Sequence, residues 1–482
     1  MEHFDIVIIG AGLSGIDAAC HFKMKTPKKT FTIFEGRSGI GGTWDLFKYP
    51  GIRSDSDMHT FSYRFKPWTH KKTISDAATI MDYLQETVTE YDIEKHIQYN
   101  HNIEELSWSS KSQLWTVTGL NKAIGKPIQV TCNFLMSCTG YYDYEEGYTP
   151  DYTGVENFKG KFVHPQKWTA NIEYKNKNVV VIGSGATAVT LIPSMAQKAK
   201  HITLLQRSPS YILSRPTYDK FAGRVHKYLP AKPAHFLARW KGILQSMYLY
   251  DIARKNPKGV KKYIQNEIKK VLGKEYAVDV HFNPKYNPWD ERLCAVPDND
   301  LFHTIKEGKC TMVTDHIDSF TENGIRLQSG KELEADLVVS ATGLKLKVVG
   351  GINVVVDGEK IDTGKVLTYK GVMLQDVPNF ATIIGYTNAS WTLKADLACS
   401  YICRLLKYMD RKKLKSCVPR LLDAKIETVP MIDFSSGYVK RGIDKMPKQG
   451  DRFPWKLHQN YIKDLITLQY KKIADDCLVF KR

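Results

Sequence analysis

The sequence predicts an α/β fold: two parallel-sheet units of similar design, one of them interrupted by a helical insertion. Three observations carry this. A hydrophobic strand runs through a glycine turn into an apolar helix twice, at FDIVIIG-AGLSG-IDAACHF and at NVVVIG-SGATA-VTLI. Two further apolar strands, FLMSCTG ending at Gly140 and DLVVSATG ending at Gly343, lead into small-residue turns suited to crossing between the units. Between about 211 and 287 the composition changes to long helical patterns.

In the first unit Gly10, Gly12 and Gly15 form G-x-G-x-x-G between strand and helix. Such glycines permit the turn, the approach of a pyrophosphate and close helix–strand packing. A second strand, FTIFE, ends at Glu35, twenty residues beyond Gly15, where a carboxylate can hold an adenosine ribose hydroxyl. In the second unit Gly183, Gly185 and Ala188 give the G-x-G-x-x-A variant. Its next strand, HITLLQRS, ends with Gln206 and Arg207 in place of the acid, and an arginine there suits a 2′-phosphate. Both units therefore read as Rossmann-like. Two such sites in one chain imply hydride transfer between two cofactors, FAD at the acid-ended site and NADPH at the arginine-ended one.

At 482 residues the chain is long enough for two or three domains. The expected segments are 1–147 for the FAD domain, 148–210 for the NADPH domain, 211–287 for the insertion, 288–343 for the rest of the NADPH domain and 344–482 for the return to the FAD domain. The N-terminus enters a strand with no export signal, and nine cysteines lie scattered without a C-x-x-C pair. Both point to a reducing cytoplasm, and the cysteines exclude a zinc site or redox dithiol, so no metal is expected. A formal charge of +18 comes without a nucleic-acid motif, so nucleic acid is not an expected partner.

In the insertion, Phe236, Leu237, Trp240, Ile243, Leu244, Met247 and Tyr248 fall on one helical face, and Val260, Ile264, Ile268 and Val271 on another that stops at Gly273. The insertion is expected to cover the substrate entrance. With Lys255, Lys258, Lys261, Lys262, Lys269 and Lys270 nearby, it also points to peripheral contact with anionic membranes. The competing reading is a helical cap packed on its own domain.

One connector stands out. FKGKFVHPQKWTA places Phe158, Gly160, His164 and Trp168 at fixed spacing, and Pro165 makes a continuous helix there unfavourable. Its His and Trp can hydrogen-bond across a moving interface or can form a packed aromatic plug with a satisfied histidine.

These residues resemble the F-x-G-x-x-x-H-x-x-x-W fingerprint of type I Baeyer–Villiger monooxygenases, within the class B flavoprotein monooxygenases. GGTWDLFKYPGIRSDSD fits a second family pattern through Gly42, Trp44, Tyr49, Pro50, Gly51 and Asp55. YNPWDERLCAVPDNDLF, GYTNASWTLKADL and GYVKRGIDKMPKQGDRFPW resemble the ethionamide monooxygenase-like subgroup. Thr169 after the fingerprint departs from the usual Pro or Asp.

The resemblance implies oxygen insertion beside a ketone carbonyl, giving esters or lactones, and oxidation of sulfides or thioamides, with NADPH and O2 consumed. It nominates Arg292 as the fixed positive charge at the reacting oxygen and Asp55 as the carboxylate that orients it. It places Gly42, Thr43, Trp44 and Asp55 at the flavin, and gives Phe158, Gly160, His164 and Trp168 a part in coupling cofactor binding to domain closure. Glu291 stands where many relatives carry a lysine that helps bind the 2′-phosphate, which loosens the expected preference for NADPH. Trp391 is expected to line the pocket or the core. The alternatives are a flavin monooxygenase acting only on heteroatoms, which Trp168 disfavours, and an NADPH-binding flavoprotein that regulates or makes hydrogen peroxide.

Overall fold

The computed structural model describes residues 1–291, 293–423, 425–432 and 437–482, with Tyr438 by its backbone alone. Arg292 therefore lies outside the described residues.

The strand Glu2–Ile9 pairs in parallel with Phe31–Phe34 on one side and Lys126–Ser137 on the other, with Ile9 opposite Phe34 and Ser137. These belong to an eleven-stranded sheet. Its parallel part binds the glycine turn, and an antiparallel run of His101–Ser109, Leu114–Asn121 and Lys126–Ser137 extends it. The sequence reading missed that run as a distinct feature. Helices Leu13–Lys25 and Trp391–Lys412 pack on the sheet and bury a core including Ile16, Phe22, Leu397 and Tyr401.

A second sheet is wholly parallel, in the order Cys310–Thr314, His201–Gln206, Asn178–Ile182, Leu337–Ser340, Lys161–Val163. Its strands read as near-continuous Val, Ile and Leu because both faces are covered. In both sheets the return strand lies beside the first strand. The carboxyl ends of the strands, where open α/β sheets bind ligands, therefore meet at the crossovers near Gly140 and Gly343. There Tyr142–Gly147 and Leu344–Leu346 form a two-stranded antiparallel pair that carries the chain out and back.

The insertion is helical: Lys220–Tyr228, Ala231–Lys255 and Pro257–Leu272, with Gly273 at φ +97° ending the last. It bridges both units. Ile243 is buried in the core of the first, while Ile264 and Ile268 are buried in the core of the second. The apolar face expected on Ala231–Lys255 is divided. Ile243 is buried and Trp240 and Met247 are partly so, but Phe236, Leu237, Leu244 and Tyr248 are exposed. The side pressed on helix Met58–Phe61 is made instead of Ala234, Ala238, Gly242, His235 and Arg239. A Cβ on Gly242 would lie 2.7 Å from Thr60 Cγ2, so only a small residue allows this approach. The buried Arg239 guanidinium donates to the carbonyls of His59, Thr60 and Ser62 at 3.2, 3.1 and 2.6 Å.

Candidate active site

The first glycine turn is shaped for a ligand's phosphates. Gly10 has φ +99°, and a Cβ there would lie 2.7 Å from the carbonyl oxygen of Cys138 on the return crossover. A Cβ on Gly15 would lie 1.8 Å from the Gly10 carbonyl oxygen, so the helix rests directly on the turn. Gly12 meets only Gly42, at 3.6 Å from its Cα, leaving a narrow passage between two backbones. Glu35 is buried, and its two carboxylate oxygens accept from the N–H groups of Ala11 (2.7 Å) and Arg37 (2.9 Å). Burial pushes this carboxyl up, against the pull of those two donors. Each oxygen keeps a lone pair for a ribose hydroxyl. The donor set and the Cβ-free passage fit FAD.

Gly42, Thr43 and Trp44 face this passage. Thr43 Oγ1 lies 3.2 Å from the Tyr144 hydroxyl, and the Arg37 guanidinium donates to the Gly42 carbonyl at 3.1 Å. Trp391 lines the same cavity, and its indole N–H donates to Ser14 Oγ at 2.8 Å.

The second turn repeats the design. Gly183 has φ +130°, and a Cβ there would lie 2.4 Å from the carbonyl oxygen of Ala341. Gly185 opens on unfilled space, and Ala188 is buried against the sheet. Gln206 turns inward, donating to the His281 carbonyl and Thr314 Oγ1 at 2.8 and 2.9 Å. Arg207 instead lines a cavity of about 600 Å³ with Gly183, Ser184 and Gly185.

Between the turns lies a cavity of about 270 Å³ lined from both units: Gly12, Gly42, Asp55 and Tyr386 from one, Ala186, Thr187 and Thr190 from the other. The Y-P-G stretch holds the units together beside it. A Cβ on Gly51 would lie 2.8 Å from the Thr190 carbonyl oxygen, and Arg53 pairs with Asp300 of helix Asp300–Lys306 at 2.6 Å. Burial pushes the Tyr49 hydroxyl up to about 12, so it stays protonated as a hydrogen-bonding group. Sequence reasoning missed Arg53 and Tyr386, whose partners Asp300 and Asp464 are distant in the chain, and Tyr142, which lies in the strand paired with Leu344–Leu346.

The fingerprint residues divide by location. Phe158 packs with Phe320 on the outer face of the second sheet, and a Cβ on Gly160 would lie 2.4 Å from Phe158 Cζ, so the ring requires glycine two positions on. Trp168 is buried in the core of the same unit beside Ile172 and Leu191, with Tyr174 edge-on. His164 alone reaches the crossovers. Its Nδ1 accepts from the Gln166 N–H at 3.2 Å, so the ring carries its proton on Nε2 and donates to the Gly343 carbonyl at 3.0 Å. The ring also lies against Gly147, where a Cβ would come within 2.0 Å of Cε1. Burial lowers the pKa of this histidine, which keeps the neutral tautomer. His164 thus touches both strands that link the units.

All nine cysteines are free, eight of them buried.

A family model described as flavin-binding monooxygenase-like matches residues 4–418. The chain is 48% identical over 482 residues to the FAD-containing monooxygenase EthA of Mycolicibacterium smegmatis, spanning 100% of this chain and 98% of that protein. It is 46% identical over 485 residues to the probable FAD-binding monooxygenase AlmA of Acinetobacter baylyi, spanning 100% and 97%. In fold it is similar to an oxidized steroid monooxygenase bound to NADP, with TM-score 0.73 at 21% identity over 86% of this chain and 87% of that one. It is likewise similar to an open structure of cyclohexanone monooxygenase, with TM-score 0.70 at 20% identity over 87% and 90%. Glycine turn, buried Glu35 and full-length relatives agree, and the chain belongs to the flavin-binding monooxygenase-like family.

Proposed function

We propose that this protein is an FAD-containing, NADPH- and O2-dependent monooxygenase that converts ketones to esters or lactones and oxygenates sulfides or thioamides. The observation that carries the reading is the position of His164, from a connector that resembles the Baeyer–Villiger fingerprint, against both crossovers beside a cavity lined from two dinucleotide folds. Bound FAD supplies the acceptor for a hydride from NADPH and the means to activate O2. The chain supplies the rest. Arg207 binds the 2′-phosphate of NADPH, and the Tyr49, Tyr142 and Tyr386 walls keep water from the cavity. Asp55 orients Arg292, whose guanidinium holds a permanent charge at the reacting oxygen. Denaturation should release one free FAD per chain. Turnover with a panel of ketones and sulfides, followed by product analysis, should give ester close to one per NADPH. Sulfoxide without ester would leave a heteroatom-only enzyme, and hydrogen peroxide equal to NADPH would leave an oxidase.

The insertion also supports peripheral contact with an anionic bilayer. Between 211 and 287 stand sixteen Lys or Arg against five Asp or Glu. Leu244 and Tyr248 are 51% and 65% exposed, and Tyr248 with Ile243 and Met247 lines a third cavity of about 380 Å³. Tyr386 and Ala389 line both this cavity and the central one and so stand between them. Among the described residues no helix is long and apolar enough to cross a membrane. Each basic side chain near an anionic surface contributes about 1 kcal/mol. The protein should float with anionic liposomes at low salt and be released at about 0.5 M, where screening reaches a few ångströms. Lack of flotation at low salt would leave the helices as a cap on their own fold.

A further inference from the structure

We propose that Arg441, from the C-terminal return of the flavin fold, is a second ligand for the 2′-phosphate of the coenzyme, acting with Arg207 of the other unit. The proposal rests on the reading of the 600 Å³ cavity as the NADPH site.

Arg441 sits on the short helix Gly437–Gly442 and lines that cavity. Its guanidinium carbon lies 3.4 Å from the centre of the Tyr148 ring, a stacked position that holds the planar group in place and leaves its edge donors free to point elsewhere. Tyr148 is itself fixed at the crossover: its N–H donates to the Gly343 carbonyl at 3.0 Å, and its carbonyl accepts from Thr342 Oγ1 at 2.7 Å. The helix is clamped on the returning strand, where a Cβ on Gly442 would lie 2.8 Å from Leu346 Cβ.

The cavity has few cations to offer a phosphate. A phosphate monoester carries about −1.5 to −2 at neutral pH. Among the described residues, Arg207 and Arg441 are the only Lys or Arg side chains lining the cavity, whereas Asp151, Glu291 and Asp315 line it with the opposite sign. Glu291 occupies a place where the family resemblance puts a lysine. Neither arginine forms an ion pair among the described residues, although they lie close enough for the Arg207 charge to add to burial in lowering the pKa of Arg441. Two guanidinium groups lining one cavity offer paired charge-assisted donors to a divalent anion. Because the two come from different units, occupancy by the 2′-phosphate would also draw the units together at the crossover.

The test uses the oxidised FAD-loaded enzyme and isothermal titration with NADP+, NAD+, 2′,5′-ADP and 5′-AMP, so that no turnover is needed. Arg441→Ala should weaken NADP+ and 2′,5′-ADP by about tenfold or more, the usual scale of a charge-assisted contact, and change NAD+ and 5′-AMP by less than about twofold. Arg441→Lys should recover part of the loss through its charge. Equal weakening of phosphorylated and unphosphorylated ligands, or no recovery with lysine, would make Arg441 a packing residue and overturn the proposal. If Arg207→Ala discriminates between the ligands and Arg441→Ala does not, the NADPH reading stands and the Arg441 inference fails. If neither variant discriminates, the reading of the cavity itself fails. Tyr148→Leu, which removes the stacking face and leaves the charge, gives a second measurement if Arg441→Ala does not fold. It should weaken NADP+ by less than Arg441→Ala would but still more than NAD+, and equal weakening would again overturn the proposal.

Discussion

Gly12→Ala should yield a folded protein that has lost its flavin, with FAD occupancy reduced about tenfold or more at unchanged apoprotein stability. The added methyl meets protein only at ordinary contact distance, 3.6 Å from Gly42 Cα, yet it stands in the passage between the two backbones. Gly15→Ala should behave differently. Its methyl would lie 1.8 Å from the Gly10 carbonyl oxygen, so the helix must back away from the turn. Overpacking of this kind typically costs about 1–3 kcal/mol, and both flavin content and melting temperature should fall. Flavin absorbance per chain and thermal unfolding of apoprotein measure the two quantities. Full flavin content in Gly12→Ala would place the cofactor outside this turn.

Arg292→Ala should take hydride from NADPH at close to the parental rate and form ester about a hundredfold less efficiently, the scale on which removal of a preorganised donor acts. The missing ester should be recovered as hydrogen peroxide. Asp55→Ala should lose less, because the guanidinium remains and only its aim is relaxed. Stopped-flow reduction separates the first step, while gas chromatography and a peroxide assay divide the products. Parental ester yield in Arg292→Ala would show that another group holds the charge at the reacting oxygen.

The two folds were legible because backbone geometry imposes glycine at fixed spacing. Gly10 and Gly183 have positive φ and press on the carbonyls of Cys138 and Ala341, and no other residue type satisfies both demands. The lining of Arg207 could be read for a similar reason, since the strand end before it has a fixed direction. The orientation of the helix Ala231–Lys255 was not legible. Periodicity identifies an apolar face but not what it faces, and here alanines, Gly242 and Arg239, whose Nη1 donates to three carbonyls, make the closer contact. The fingerprint spacing likewise hid three separate environments. Phe158 and Trp168 serve packing in one unit, and only His164 reaches the link between units. Arg53 with Asp300, and Arg441 with Tyr148, depend on contacts between residues far apart in sequence, which no local pattern encodes.

The bridging insertion has a mechanical consequence. The units are joined at the paired strands Tyr142–Gly147 and Leu344–Leu346, and again through the elbow at Asn256 between helices seated in different cores. The Gly51–Thr190 contact and the Arg53–Asp300 pair add a third tie, so movement of one unit against the other is resisted at three separate places. Twisting or sliding of one unit past the other would have to tear Ile243 or Ile264 from its seat, at about 1.5–3 kcal/mol for each side chain exposed.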